Sequence, residues 1–262
     1  MPSINFNEIT PDIANQVASV MKQFTDAGVT VWLRYAHEMN WYASAQSGTY
    51  HGTSADFLTS WKNIYNAACK DNAKVSCFWS PNQAGSASDL QPWWPGEEYV
   101  DLVGIDCYPK SSDDTSSNEL FDMLYGSFYD AYSKPYSLPF AIGETGAGVG
   151  QKEQWLKTLV SQDRTKYPNY VSMSWFEFNK EADFRVVETD DATLKQTKDI
   201  LLSGDNSSCG GSASGGGNGT TPVASTAPVA STAVPSATSK PVASGSTSAA
   251  SSANSGATCS WG

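Results

Sequence analysis

Between residues 10 and 203 helical patterns and short strands take turns, and the strands are apolar almost without interruption. VTVWLRYAHE (29–38), VSCFWSPN (75–82), LVGIDCYP (102–109), PFAIGETG (139–146) and YVSMSWFEFNK (170–180) are rich in β-branched and aromatic residues, as strands are. A strand with little polar alternation is buried on both faces, which is the condition of a parallel sheet covered by helices. The segments between supply those helices. TPDIANQVASVMKQFTDAG (10–28) opens on a Thr cap with Pro at the first helical position and closes on Gly, the ordinary start and stop signals. Its Ile13, Val17, Val20, Met21 and Phe24 fall on one face at three-to-four spacing. Further helices are expected near 53–71, 117–133, 151–167 and 191–203.

Two parallel α/β architectures compete, a doubly wound open sheet and a (β/α)8 TIM-type barrel. The carboxyl ends of the strands favour the barrel, because polar residues gather there: His37-Glu38, Trp79-Ser80, Asp106-Tyr108, Glu144 and Trp175-Glu177. In a barrel those ends converge on one face, where active sites lie. Five strands are found where a closed barrel needs eight. The expectation is therefore an incomplete barrel of about five βα units.

Composition changes at residue 203. Ser, Thr, Gly, Ala and Pro fill 48 of the 60 positions of 203–262, with one acid, Asp205, and one base, Lys240. Such a segment cannot bury enough apolar surface to offset the entropy of ordering, so it reads as a disordered linker, and Cys259 and Trp261 at its end read as the opening of a Cys-rich or carbohydrate-binding module. Residues 1–202 read as the catalytic domain. The net charge is −11, which argues against nucleic acid as a partner, since that affinity rests on Lys and Arg neutralising phosphates. No apolar run reaches the length of a membrane span. Two histidines, His37 and His51, and no C-x-x-C pair leave little for a metal centre, so neither metal nor cofactor is expected. Cys69, Cys77 and Cys107 read equally as buried thiols or as disulfide partners. Sequons at Asn206 and Asn218 and a PVAST repeat at 222–226 and 228–232 point to a secreted parent protein, although MPSINFNEIT has no signal-peptide pattern.

Glu38 and Glu144 are the candidate catalytic pair. Each ends a strand, and their separation of 106 residues fits three βα repeats of about 35 residues, which places them across the mouth of a barrel. Two carboxylates facing across a cleft are what glycosidic-bond cleavage requires, one to protonate the leaving oxygen and one to attack or to activate water. Competing motifs fail. HEMNW (37–41) has Trp41 where a zincin needs its second His, and GETGAGVG (143–150) lacks the third glycine of a dinucleotide loop. Aromatics beside the polar strand ends, Trp41, Tyr42, Trp79, Trp93, Trp94, Tyr108 and Trp175, suit the apolar faces of sugar rings. His37, Asn40, Asn82, Asp106 and Asn179 would serve the hydroxyls. Arg34, on the same side of its strand as Glu38, fixes a deeper carboxylate or touches substrate.

VWLRYAHEMNWY (31–42) resembles the acid/base strand of glycoside hydrolase family 26, the fourth of its barrel, and FAIGETG (140–146) is similar to the nucleophile strand, the seventh. FWSPN and WWPGEEYVDLVGIDCYP resemble the strands between. The resemblance covers about 10–200, with HEMN its most specific stretch. It implies strands four to eight of the barrel, with the first three and any signal peptide absent. It implies retaining, endo-acting hydrolysis of a β-linked polysaccharide, β-1,4-mannan first, without a cofactor and as a monomer. Glu38 would be the acid/base and Glu144 the nucleophile. His37, Asn40, Trp41, Trp79, Tyr108 and Trp175 would be the substrate-binding residues. Trp41 directly after HEMN departs from the glycine common there, so β-1,3-xylan and mixed-linkage β-glucan stay open as substrates. A catalytically inactive, carbohydrate-binding barrel fragment stays open as the rival class.

Overall fold

A computed structural model describes residues 3–44 and 48–208, with side chains up to 203. Seven strands are described: β1 Ile4–Asn5, β2 Val31–Leu33, β3 Tyr50–His51, β4 Val75–Trp79, β5 Leu102–Val103, β6 Phe140–Thr145 and β7 Tyr170–Trp175. Five of them form one sheet in the order β2-β4-β5-β6-β7, every pair parallel. Each strand therefore lies beside the next large strand of the sequence, with helices between, and the result is an open half-barrel. The short β1 and β3 pair in parallel as a separate ribbon, which the strand pattern did not predict.

The helices start where the sequence signals them. α1, Pro11–Asp26, is capped by Thr10, whose Oγ1 accepts from the Ile13 N–H at 3.4 Å. α2 is the single turn Met39–Tyr42. α3, Ser54–Ile64, opens with a capping box between Thr53 and Asp56 and continues as a π-turn over Tyr65–Cys69, so the helix expected at 53–71 is present. α4, Asn118–Phe121, runs on through π segments at Asp122–Gly126 and Tyr129–Ser133. α5 is Lys152–Val160 and α6 is Asp191–Ser208. The boundary expected at 203 thus falls inside a helix, and residues 209–262 lie outside the described residues.

Helices cover one face of the sheet, and the main core lies between. Phe78, Leu102 and Ala141 form a small separate cluster. The outer core is aromatic: the Tyr125 hydroxyl donates to the Cys107 carbonyl at 2.9 Å and accepts from the Thr145 hydroxyl at 3.0 Å, and Trp155 Nε1 donates to the same Thr145 oxygen at 3.0 Å. Buried aromatic hydroxyl and indole groups are thereby satisfied, as burial demands. A disulfide joins Cys69 at the end of the α3 π-turn to Cys77 in β4, with Cα atoms 5.8 Å apart. That settles two of the three body cysteines as disulfide partners.

One expected apolar face is only half used. Val17 and Met21 of α1 pack on the core, but Ile13, Val20 and Phe24 stay 38, 46 and 49% exposed. The cause is topological. Among the described residues β2 has β4 on one side and no strand of the sheet on the other, so α1 has α3 beside it on one flank only. Trp32 on that edge strand is 45% exposed for the same reason.

Candidate active site

The strand expected at 29–38 pairs only over Val31–Leu33. After it Ala36 and Glu38 adopt positive φ, 48° and 52°, a conformation that costs a side-chain-bearing residue about 1–3 kcal/mol and is typical of functional sites. The turn is held from both sides. Glu38 N–H donates to the Ser80 carbonyl at 2.8 Å, and the Glu38 carbonyl accepts from the Trp41 and Tyr42 amides at 2.9 Å. The backbone is thus tied to the end of β4 while it starts α2, and the Glu38 side chain is buried.

Isolated bridges continue the sheet beyond its ladders, Asn82 to Asp106 and Asp106 to Glu144. They bring three strand ends side by side. One carboxylate oxygen each from Glu38, Asp106 and Glu144 lies within 4.8 Å of the other two. Arg34 stands among them. Its Nη2 donates to both Asp106 oxygens, at 2.6 and 2.9 Å, and to Ser80 Oγ at 3.0 Å, and its Nη1 reaches Glu144 Oε1 at 3.1 Å. Ser80 Oγ donates to Asp106 Oδ1 at 2.8 Å, and the Tyr108 hydroxyl donates to Glu144 Oε2 at 3.2 Å. Asp106 and Asn82 are the polar side chains that act on the Glu38 carboxyl. Gly143, the residue before Glu144, makes this convergence possible. A Cβ there would lie 2.1 Å from Asp106 Oδ1 and 2.2 Å from Ser80 Oγ.

Three carboxyl groups and one guanidinium cannot all be charged at low cost. Burial pushes the Glu38 carboxyl above the usual glutamate range, and the Glu144 charge adds to it. Burial also raises Asp106 strongly against the pull of Arg34. Two carboxyl groups raised together at this separation favour holding one proton between them. Burial alone would lower Arg34, but Asp106 and then Glu144 outweigh it and hold the guanidinium charged. The spacing of the three carboxylates is also that of a cation site, yet here Arg34 brings the positive charge to two of them directly.

The remaining candidates divide. His37 is half-buried, its imidazole held below the usual histidine range by burial and by Arg34, with the Tyr42 ring edge-on at 5.6 Å. Tyr108 packs against Phe176 and Phe184. Trp175 is half-buried and donates its Nε1–H to the Phe184 carbonyl at 2.6 Å. Trp41 is half-buried on α2. Asn40 is a latch, its Nδ2 donating to the Asn82 carbonyl at 2.8 Å and its Oδ1 accepting from the Asn82 amide at 2.9 Å. Trp79 needs correction: it is 0% exposed, packed against Trp94, Phe128 and Tyr132, with Nε1 on the Trp93 carbonyl. Its side chain turns to the helices and offers no face to a sugar. Glu177 likewise serves a loop, accepting from the amides of Val186, Val187 and Glu188. Asp106 and Asn82, expected to meet sugar hydroxyls, instead touch Glu38. The sequence signal was present, since both follow an apolar strand at the depth where Glu144 ends its own.

The profile described as glycosyl hydrolase family 26 matches residues 1–189. Endoglucanase H of Acetivibrio thermocellus is 27% identical over 190 residues, 68% of this chain and 20% of that protein. The protein named mannan endo-1,4-beta-mannosidase A and B of Caldalkalibacillus mannanilyticus is 23% identical over 172 residues, 61% of this chain and 30% of its own length. The chain therefore spans well under half the length of these relatives. Among solved structures, the catalytic domain of a Bacillus GH26 endo-beta-1,4-mannanase superposes with a TM-score of 0.48 at 18% identity, over 64% of this chain and 49% of the other. A modular endo-beta-1,4-mannanase from Cellulomonas fimi gives 0.48 at 17% identity, over 74% and 49%.

Proposed function

Since the chain belongs to glycosyl hydrolase family 26, we propose that it hydrolyses a β-linked polysaccharide with retention of configuration, using Glu144 as nucleophile and Glu38 as acid/base. The observation that carries this reading is that one carboxylate oxygen of Glu38 and one of Glu144 lie no more than 4.8 Å apart, too close for the separation of an inverting pair. Retaining enzymes hold the two groups at about 5–5.5 Å, and inverting ones at about 6.5–9.5 Å to admit a water. In the first step Glu144 attacks the anomeric carbon as the glycosidic bond breaks, and Glu38 gives its proton to the departing oxygen. In the second, Glu38 takes a proton from water, the hydroxide attacks the anomeric carbon, and the ester to Glu144 opens. Both groups return to their starting states.

The surroundings suit these roles. A buried Glu38 with a raised pKa keeps a proton to donate. Arg34 and Tyr108 both donate to Glu144 and fix it in one orientation. His37, Trp41, Tyr108 and Trp175 are the proposed sugar contacts, and Asn40 supports them by holding α2 on β4. The proposed substrate is β-1,4-mannan, supported by the printed names of two related proteins. The endoglucanase name of another supports mixed-linkage β-glucan as the second choice. Secretion is proposed from the Cys69–Cys77 disulfide, since such bonds persist in oxidising compartments. No described helix is long and apolar enough to cross a membrane.

The test is hydrolysis of mannan and mixed-linkage β-glucan by the full chain and by Glu144→Gln and Glu38→Ala. Near-wild-type turnover in either variant refutes the assignment, and an inverted first product refutes the two-step route. The exposed edges at Trp32 and Val171 favour one other reading, a half-barrel that binds polysaccharide without turnover. Saturable binding with no release of reducing sugar would establish it.

A further inference from the structure

His37 precedes the left-handed Glu38, yet nothing of the carboxylate cluster holds its ring. Among the described residues neither ring nitrogen has a hydrogen-bond partner, and Arg34 and Glu144 act on it only through their charges. A half-buried imidazole without hydrogen bonds keeps its orientation by packing alone. The ring beside it is Tyr42, edge-on at 5.6 Å and 63°. Tyr42 ends α2, and its amide is bonded back to the Glu38 carbonyl, so both rings hang from one tight turn. Behind Tyr42 stands Tyr50, 5.2 Å away. Tyr50 is buried, lies in β3 in register with Ile4 of β1, and packs edge-on against Phe6 at 5.9 Å. The small β1–β3 ribbon, otherwise without a task in the sheet, thus presses an aromatic column toward His37.

We propose that Tyr42 is a positioning residue that sets the rotation of the His37 ring, with Tyr50 on the β1–β3 ribbon as its support. Fixing that rotation leaves both imidazole nitrogens aimed and unspent, ready for a sugar hydroxyl beside Glu144. The rotation itself concerns the folded chain alone. Its effect on turnover rests on the hydrolase reading.

The experiment has two arms. The chain has only two histidines, so an NMR titration of labelled imidazole shows two signals, and His37→Ala assigns them. The charged groups facing His37 are Arg34 and Glu144, and both stay in every variant. Removing the Tyr42 ring admits water, and relief of burial moves the His37 midpoint up toward the ordinary histidine value. Tyr42→Leu should show that rise, and Tyr42→Phe, which keeps the ring, should restore the wild-type midpoint. Tyr42→Met, which fills the space flexibly, replaces the leucine variant if that one does not fold. A midpoint unmoved in both the Leu and Met variants overturns the proposal.

The second arm is a double-mutant cycle on kcat/KM. Tyr42→Leu should cost about tenfold in the wild-type background and less than about twofold once His37 is already alanine, because the two act as a unit. Equal losses in both backgrounds also overturn it. If the wild-type chain hydrolyses neither mannan nor glucan, the hydrolase reading falls, and the titration alone decides the role of Tyr42.

Discussion

Adding one carbon at Gly143 is the sharpest perturbation the site permits. Its φ lies outside the left-handed region, so backbone freedom is not the reason for glycine there. The reason is space. The new methyl would sit 2.1 Å from Asp106 Oδ1 and 2.2 Å from Ser80 Oγ, more than 1 Å inside ordinary contact of about 3.4 Å between carbon and its neighbours. Neither neighbour can yield alone. Asp106 is 2% exposed and is bonded by Arg34 and Ser80. Overpacking costs about 1–3 kcal/mol, and prising Asp106 from Arg34 leaves a buried charge unpaired at about 3–5 kcal/mol. Since the clash is relieved by partial movement, we expect Gly143→Ala to lose about 3–5 kcal/mol. With a urea m-value of about 2 kcal/mol/M, that is a midpoint about 2 M lower. Urea unfolding followed by fluorescence of the buried tryptophans reads it. Adding Ser80→Ala should recover part of the loss, because it removes one of the two clashing atoms. A Gly143→Ala midpoint within about 0.3 M of wild type would refute the crowding argument and the packing of Arg34, Ser80 and Asp106 on which it rests.

Further expectations concern single groups. Burial raises Glu38 above its unfolded pKa, so the folded state binds more protons in the window between the two values and stability falls as pH rises through it. Glu38→Gln should flatten that fall in thermal unfolding at several pH values, and in the wild type the alkaline limb of the rate profile should lie above the ordinary glutamate range; a variant parallel to wild type at all pH values contradicts this. Tyr108→Phe removes one donor to Glu144, a hydrogen bond to a charged group of about 1.5–3 kcal/mol, so initial rates should show kcat/KM down by about ten- to a hundredfold. Trp79→Ala should act oppositely, costing about 3–5 kcal/mol of stability and leaving KM unaltered in whatever fraction stays folded. A raised KM in that folded fraction would restore Trp79 to the sugar site.

What could be read from the chain follows from the range of each interaction. The five parallel strands were legible because burial on both faces leaves a local mark, a run of apolar residues, and the start of α1 because Thr10-Pro11 is a local device. Glu38 and Glu144 were singled out because each closes such a run. Trp79 was misassigned because a strand end does not say which face a side chain takes, and one residue decides between core and cleft. Period-2 reasoning linked Arg34 to Glu38, but left-handed Ala36 and Glu38 break the strand between them, and no residue type announces that turn. The joint grip of Arg34 on Asp106 and Glu144 spans 72 and 110 residues of sequence. It depends on strand order, which composition does not encode. The β1–β3 ribbon escaped notice because two-residue strands carry no periodicity. The exposed half of α1 misled for a related reason: its pattern specifies a face to be covered, without saying by what.

The order of the strands has a dynamic consequence. Glu144 sits in β6, flanked by β5 and β7, whereas the turn carrying Glu38 follows β2, which has one neighbour among the described strands. The two halves of the proposed chemistry are thus mounted on unequal foundations. Amide hydrogen exchange should register this, the Glu38 amide opening by local fraying of the sheet margin and the Glu144 segment only with larger unfolding. The proposed proton donor then rides on the more pliant part of the molecule and the proposed nucleophile on the stiffer one, so heat or mild denaturant should silence any turnover before the protein as a whole gives way.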